Sequence, residues 1–187
     1  LVTRDIDILK EMAKFDLVAV NISVTSLDPD LASVMEPRAS TPDNRFAAIE
    51  KLSKAGISVN AMVAPIIPGL NDHEIPQIVK RAAQAGARSA GHVIVRLPFA
   101  VKDLFQGWLG HHFPDRKKKV LNRIRAIRGG KLNDARFGKR MNGEGIFAEQ
   151  IHDLFRMACH RAGFKNERGN LSTEHFRNPH EQQLTLF

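Results

Sequence analysis

The chain has 187 residues, 43% of them hydrophobic, one cysteine, and a formal net charge of +8. That length suits one domain or one domain with an appendage. No apolar run approaches the roughly 18 residues of a membrane span, and the start, Leu1-Val2-Thr3-Arg4, resembles neither a signal peptide nor an initiator methionine. The chain therefore reads as a fragment that begins mid-element. A single cysteine, Cys159, excludes an internal disulfide and makes the cytoplasm the default compartment.

In chain order, Arg4 to Phe15 reads as a helix with Ile6, Leu9, Met12 and Ala13 on one face. A strand follows from Leu17 to Thr25. One of its faces is Val18, Val20, Ile22, Val24, and the other is Ala19, Asn21, Ser23, Thr25. A parallel strand buried on both sides would be apolar throughout, so the polar face predicts a solvated or ligand-filled lumen. The next segment, to Pro42, reads as a long loop carrying Glu36 and Arg38 beyond the strand's C-terminal end, where α/β folds place their sites.

Thr41 and Pro42 predict the cap and first position of a helix running to about Ala55. A strand over 57–64 sets Val59, Ala61 and Val63 against Ser58, Asn60 and Met62. The loop 65–72 leads to a helix ending near Ala85, and a third strand over 90–97 sets Val93, Val95 and Leu97 against His92, Ile94 and Arg96. On this reading the polar faces converge on Asn21, Ser23, Asn60, His92 and Arg96. The repeated helix–glycine–strand unit of about 35–40 residues is that of βα architecture. Three such strands neither close a barrel nor cover both sheet edges, which predicts further strands upstream.

Past Pro98 the pattern becomes helical: Val101 to Leu109, a basic helix from Pro114 to Ile127, a Gly-, Asn- and Arg-rich loop over 131–145, and an amphipathic helix from Ile146 to Ala162. Residues 1–98, 99–163 and 164–187 are expected to form a partial α/β barrel, a basic helical extension and a flexible tail. Basicity is local: from His111 to Met141 eleven Lys and Arg face two Asp, a net +9, and the remainder is near −1. Arg116, Lys117, Lys118, Lys119, Arg123, Arg125, Arg128 and Lys131 are the candidates for sequence-independent phosphate contacts, the alternative being an ordinary solvated helix face. His111-His112 lacks companion ligands at metal spacing and reads as a surface pair, and Cys159 as a small core residue.

Several runs carry a family resemblance: Ser-Val-Thr-Ser-Leu-Asp (23–28), Met-Glu-Pro-Arg-Ala-Ser-Thr-Pro (35–42), Val-Ala-Pro-Ile-Ile-Pro-Gly-Leu-Asn-Asp (63–72), Val-Lys-Asp-Leu-Phe (101–105), Arg-Gly-Gly-Lys-Leu (128–132) and Arg-Met-Asn-Gly-Glu-Gly (140–145). Together they resemble the C-terminal half of radical SAM proteins of the spore-photolyase-like group, also called DNA repair photolyases. The resemblance implies the last three units of a (β/α)₆ partial barrel with a helical C-terminal extension. The intact parent would carry a [4Fe–4S] cluster on an N-terminal CxxxCxxC loop and use it with S-adenosylmethionine to generate a 5′-deoxyadenosyl radical. That loop is absent here, and one cysteine cannot replace it. The expectation is therefore a fragment that stably binds neither the cluster nor S-adenosylmethionine on its own, is inactive alone, and has the missing N-terminal half as partner. Lacking tyrosine, the chain does not carry a tyrosine hydrogen-transfer relay either.

The resemblance also implies site roles. Ser23 matches a ribose contact, and Arg38 is placed to pair with the methionyl carboxylate. Ala64, in the run 63–65, and Val93 and Ile94 match segments near adenine and ribose, with Asn60 and His92 facing the same lumen. The plainer readings stay open: Ser23 as a small packing residue, Arg38 paired with Glu36, His92 and Arg96 as structural. The terminus, with Gln183, Leu184, Leu186 and Phe187, resembles the pentapeptide by which bacterial proteins dock on the sliding clamp. A non-catalytic nucleic-acid or clamp-binding module is the alternative function.

Overall fold

The computed structural model describes residues 1–164 and 170–175. The clamp-docking candidates Gln183, Leu184, Leu186 and Phe187 lie outside the described residues. A short 3₁₀ turn, Val2–Asp5, enters α1 (Ile6–Ala13), and β1 (Ala19–Ser23) follows. The segment expected to be a loop contains a helix, α2 (Pro29–Met35). Its cause is legible: the Asp28 carboxylate accepts from Asp30 N (2.9 Å) and Leu31 N (3.3 Å), and Pro29 fills the first helical position.

The helix α3 (Pro42–Lys54) leads to β2 (Ser58–Ile66), and α4 (Ile75–Gln84) leads to β3 (Ser89–Ile94). The strands form one parallel sheet in the order β1-β2-β3. The architecture is thus α/β with a small parallel sheet, consistent with part of a barrel. The C-terminal part holds α5 (Val101–His112), α6 (Pro114–Ala126), a single turn α7 (Lys139–Asn142) inside the basic loop, and α8 (Ile146–Arg161). Among the described residues no helix is long and apolar enough to cross a membrane.

Register decides what each sheet face carries. Val20, Val59 and Ile22, Ala61 are paired in rows on one face. That face, with Val63, packs on Phe46, Ile49 and Leu52 of α3 and on Ile75, Ile78, Val79 and Ala82 of α4, all buried. Full burial of each large aliphatic side chain contributes about 1.5–3 kcal/mol, so this seam dominates the stability of the sheet. The α8 helix adds Ile151, Phe155 and Ala158 by packing on α4 and β3.

The other face carries the rows Asn21–Asn60–Ser89 and Ser23–Met62–Gly91. Asn21 and Ser23 are exposed, and Asn60, Met62, Ser89 and Gly91 are half-buried. This is the polar face expected of a lumen, with one correction. His92 is in register with Val63, not with Asn60, and so turns to the helix side. There its Nε2 lies 2.8 Å from Nδ1 of His152 on α8, and its ring packs at 4.3 Å (centroids) on Phe155. The α8 face supplies the hydrogen-bonding and aromatic partners that a lumen position would not.

Candidate functional site

The polar sheet face ends at a rim built by the segments just beyond the strands. Thr25 is buried, and its hydroxyl donates to Glu36 Oε2 (2.7 Å), within 3.2 Å of the Ala64 carbonyl. The same Glu36 oxygen receives Arg45 Nη2 at 2.7 Å, while Arg45 donates from Nη1 to Ser23 O (2.8 Å) and from Nε to Ser40 O (2.9 Å). One arginine on α3 therefore fixes both the end of β1 and the 36–40 loop. The planar fork of guanidinium suits it to several acceptors at once.

Two further clips close the rim. Buried Asn71 accepts from Ile67 N (2.7 Å) and donates to Thr25 O (2.8 Å) and Pro65 O (3.0 Å). Buried Glu74 accepts from the Ser26 hydroxyl (2.8 Å) and from Leu27 N (2.6 Å). Among the described residues every buried side-chain polar atom of these loops thereby has a partner, as burial requires. The peptide bond Ala64–Pro65 is cis at this point.

Against this frame the predicted site residues divide. The Ser23 hydroxyl, exposed beside Asn21 and Arg45, makes no hydrogen bond among the described residues. Arg38 is exposed and, among the described residues, pairs with no carboxylate, because Glu36 is taken by Arg45 and Thr25. Asn60 accepts a hydrogen bond from the Ser89 hydroxyl on the polar face. Ala64 lies at the C-terminal end of β2, half-buried like Val93. Ile94 is fully buried on the helix side, so only its backbone faces a neighbour at the sheet edge. A cleft of about 550 Å³ runs along β1, lined by Asn21, Ser23, Ser40, Asn44 and Arg45 among others. Arg38, Asn60, Ala64, Val93 and Ile94 do not line it.

The basic segment is rearranged relative to its sequence. Arg116, Lys119 and Arg123 share one stripe of α6 and line a second cleft of about 610 Å³. Lys117 lies against Gly110 of α5, and Lys118 is exposed. Arg125 donates to Asn122, and Lys131 is exposed. Arg128, expected at the surface, is 2% exposed. It donates to Val95 O (3.0 Å) and Lys139 O (2.7 Å), its Nε has no partner, and burial pushes its guanidinium below the ordinary value. A phosphate cannot reach it. Arg136 and Lys139 are partly neutralised within the loop: Arg136 donates to Asp134 (2.6 Å) and Glu144 (2.7 Å), and Lys139 lies 2.9 Å from Glu144. The Arg136 guanidinium holds the Asp134 carboxyl down at about 2.

Sequence reasoning missed Arg45, Asn71 and Glu74. The Asn-Asp pair after Pro-Gly-Leu is a turn signature that marks Asn71 as a backbone-bonding residue. Arg45 and Glu74 gave no such signal: Arg45 reaches Ser23 and Glu36, 22 and 9 residues away, and Glu74 reaches Ser26 and Leu27, 48 and 47 residues away.

Residues 1–82 match the model of the Radical SAM superfamily. The radical SAM match ends within α4 and covers β1, β2 and the whole rim, including Ser23, Arg38, Asn60 and Ala64. The chain is 31% identical over 117 residues to uncharacterized proteins of Mycobacterium bovis and Mycobacterium tuberculosis, covering 62% of this chain and 34% of those proteins. It is 40% identical over 68 residues to an uncharacterized protein of Acidianus two-tailed virus, covering 36% of this chain and 22% of that one. The chain spans about a third of the length of the mycobacterial relatives it matches.

Radical SAM chemistry requires two groups, an iron–sulfur cluster and S-adenosylmethionine. Among the described residues no three His, Cys, Asp or Glu side chains gather at metal-binding distance. Cys159 is alone on α8, and burial pushes its thiol up to about 11. These residues do not fit an iron–sulfur cluster, which takes several thiolates. Three exposed polar side chains of the segment make no side-chain hydrogen bond or ion pair among the described residues: the Ser23 hydroxyl, the Asn21 amide and the Arg38 guanidinium.

Proposed function

We propose that this chain is the adenosyl-handling part of a radical SAM enzyme of the spore-photolyase-like group, whose cluster cysteines lie outside these 187 residues. The reading is carried by one observation. The segment that matches the family also presents a polar sheet face with an uncommitted hydroxyl at its rim, Ser23.

When bound, S-adenosylmethionine supplies the radical chemistry, a hydrogen-atom abstraction from substrate. The chain's own residues bind and orient. Ser23 hydrogen-bonds a ribose hydroxyl from the end of β1, which Arg45 fixes through the Ser23 carbonyl. Arg38 forks onto the methionyl carboxylate, free to do so because Arg45 has already neutralised Glu36. Asn60, in register with Asn21 on the polar sheet face, and the half-buried Ala64 and Val93 extend the proposed contact surface beyond the cleft along β1. The rim clips at Asn71 and Glu74 keep the loops from collapsing into this space.

Calorimetric titration tests the assignment. Arg38→Ala is expected to weaken S-adenosylmethionine binding about tenfold, the loss of one charge-assisted pair, and to leave 5′-deoxyadenosine binding unchanged. Ser23→Val is expected to weaken both ligands. Equal binding of both ligands by wild type and both variants overturns the proposal.

As substrate we assign nucleic acid, supported by the free cations of α6, Arg116, Lys118 and Lys119. Duplex affinity that falls steeply with salt is the expected result.

A further inference from the structure

The 610 Å³ cleft beside α6 has three walls of different chemistry. One is the basic stripe Arg116, Lys119, Arg123, at spacings of three and four residues on a helix whose adjoining face, Val120, Leu121 and Ile124, is buried. The second is apolar, from Phe147 and Leu154 of α8. The third is the turn after β2, with Gly69 and Asp72. Since that turn leaves the C-terminal end of β2, the cleft opens next to the rim of the sheet.

Arg123 is not available to a ligand in the way its neighbours are. It donates to Asp72 Oδ2 at 3.2 Å and lies over the Phe147 ring, 5.3 Å from its centroid. Its stem passes so close to Gly69 that a Cβ there would stand 3.1 Å from Arg123 Cδ. Arg123 thus cancels the one carboxylate in the cleft and braces Phe147. The side chains of Arg116 and Lys119 make no hydrogen bond or ion pair among the described residues and are exposed. The result is two uncommitted cations facing an apolar wall, in a volume within the about 300–1,000 Å³ typical of small-ligand sites.

We propose that this cleft binds a nucleotide unit, with its phosphates on Arg116 and Lys119 and its base against Phe147 and Leu154. A nucleotide matches both walls at once: anionic at one end, flat and apolar at the other. The unit is either a free nucleoside diphosphate or one residue of a single strand. A duplex keeps its bases stacked inside and cannot offer one to Phe147. The inference deepens the nucleic-acid part of the proposed function and does not depend on its radical chemistry.

Fluorescence anisotropy with a labelled 12-nucleotide oligo(dT), competed by ADP, by inorganic pyrophosphate and by a 12-base-pair duplex, tests it on the 187-residue chain. ADP is expected to compete at least fivefold better than pyrophosphate, and the single strand better than the duplex. Competition by ADP reports a free-nucleotide site, whereas strand binding that ADP does not displace reports a strand site, and either supports the proposal. Arg116→Gln with Lys119→Gln is expected to weaken binding tenfold or more and to reduce the log–log salt slope by about 1.4, at about 0.7 per phosphate contact. Phe147→Leu, which keeps an apolar side chain, is expected to weaken it about fivefold with the slope unchanged. Unaltered affinity in the double variant, pyrophosphate displacing the strand as effectively as ADP does, or a preference for duplex each overturns it. S-adenosylmethionine titrated into the unsubstituted chain separates the two readings: cofactor binding there without nucleotide binding sinks only this inference.

Discussion

His92 of β3 donates its Nε2 proton to Nδ1 of His152. The direction follows from the far side of His152, where Nε2 stands 3.1 Å from the carbonyl of Asn142 and must donate to it, leaving Nδ1 as the acceptor. The two rings join the sheet, α8 and the end of α7 in one relay. Burial, and secondarily the neighbouring His152, lower the His92 pKa from 6.5 to about 4.

A stability change with pH follows. Above about 6.5 both folded and unfolded chains carry neutral His92, and the fold has its full stability. Between 6.5 and 4 the unfolded chain binds a proton that the folded chain refuses, so stability falls as pH falls. Allowing for partial exposure, the loss is on the order of 1–2 kcal/mol, a drop of about 2–8 °C in Tm. Thermal melts at pH 7.5 and 4.5 measure it, and His92→Gln should remove most of the difference. An equal difference in that variant would refute the assignment to His92.

The Glu36–Arg45 pair is expected to govern the loop that carries Arg38. Its side chains are 33% and 13% exposed, and Arg45 also serves two carbonyls. Glu36→Ala leaves a largely buried guanidinium short of its carboxylate and should cost about 1–3 kcal/mol. Hydrogen exchange of the 36–41 amides should quicken at the same time. Unchanged exchange would mean the loop is held by something else.

Asn71→Ala removes three buried hydrogen bonds and leaves Ile67 N without its acceptor. A loss of about 3 kcal/mol in urea unfolding is expected. Asn71→Asp keeps the acceptor and loses both donors, and should fall between wild type and Asn71→Ala.

Two glycines with similar backbone angles should respond differently to alanine. Gly56 (φ +81°) has open space where a Cβ would go, so Gly56→Ala meets only the backbone strain of the left-handed region. At Gly86 (φ +91°) the Cβ would collide with the Ser53 side chain, whose hydroxyl donates to the Gly86 carbonyl at 2.8 Å. Gly86→Ala should therefore be the more destabilising by about 1 kcal/mol or more, the additional cost of overpacking and a lost hydrogen bond. Chemical denaturation of the two variants compares them directly.

Much of the sheet was legible in the sequence because β2 alternates cleanly: Val59, Ala61 and Val63 inward, Asn60 and Met62 outward. β3 offers no such contrast. Gly91 and His92 fit either face, and the register between Val63 and Ile66 is irregular, so strand periodicity placed His92 on the wrong side. The helix α2 was missed although Asp28-Pro29 carries its start signal, because seven residues show too little periodicity. At the site, Ser23 and Arg38 could be named from sequence, but their freedom could not. It depends on Arg45 claiming Glu36 across nine residues. Arg128 misled for a general reason: arginine is rarely fully buried, and only the tertiary fold brings two carbonyls to it.

That buried arginine has a consequence for how the basic region is inherited. Its guanidinium grips the carbonyl of Val95, just past β3, with one nitrogen and the carbonyl of Lys139, at the start of α7, with another. The segment 111–141 is therefore no detachable cassette. Transplanted to another scaffold it would carry a desolvated cation with half its acceptors left behind, and its arrangement of charges would dissolve. Whatever the cations of α6 recognise, they were selected together with the sheet on which they rest.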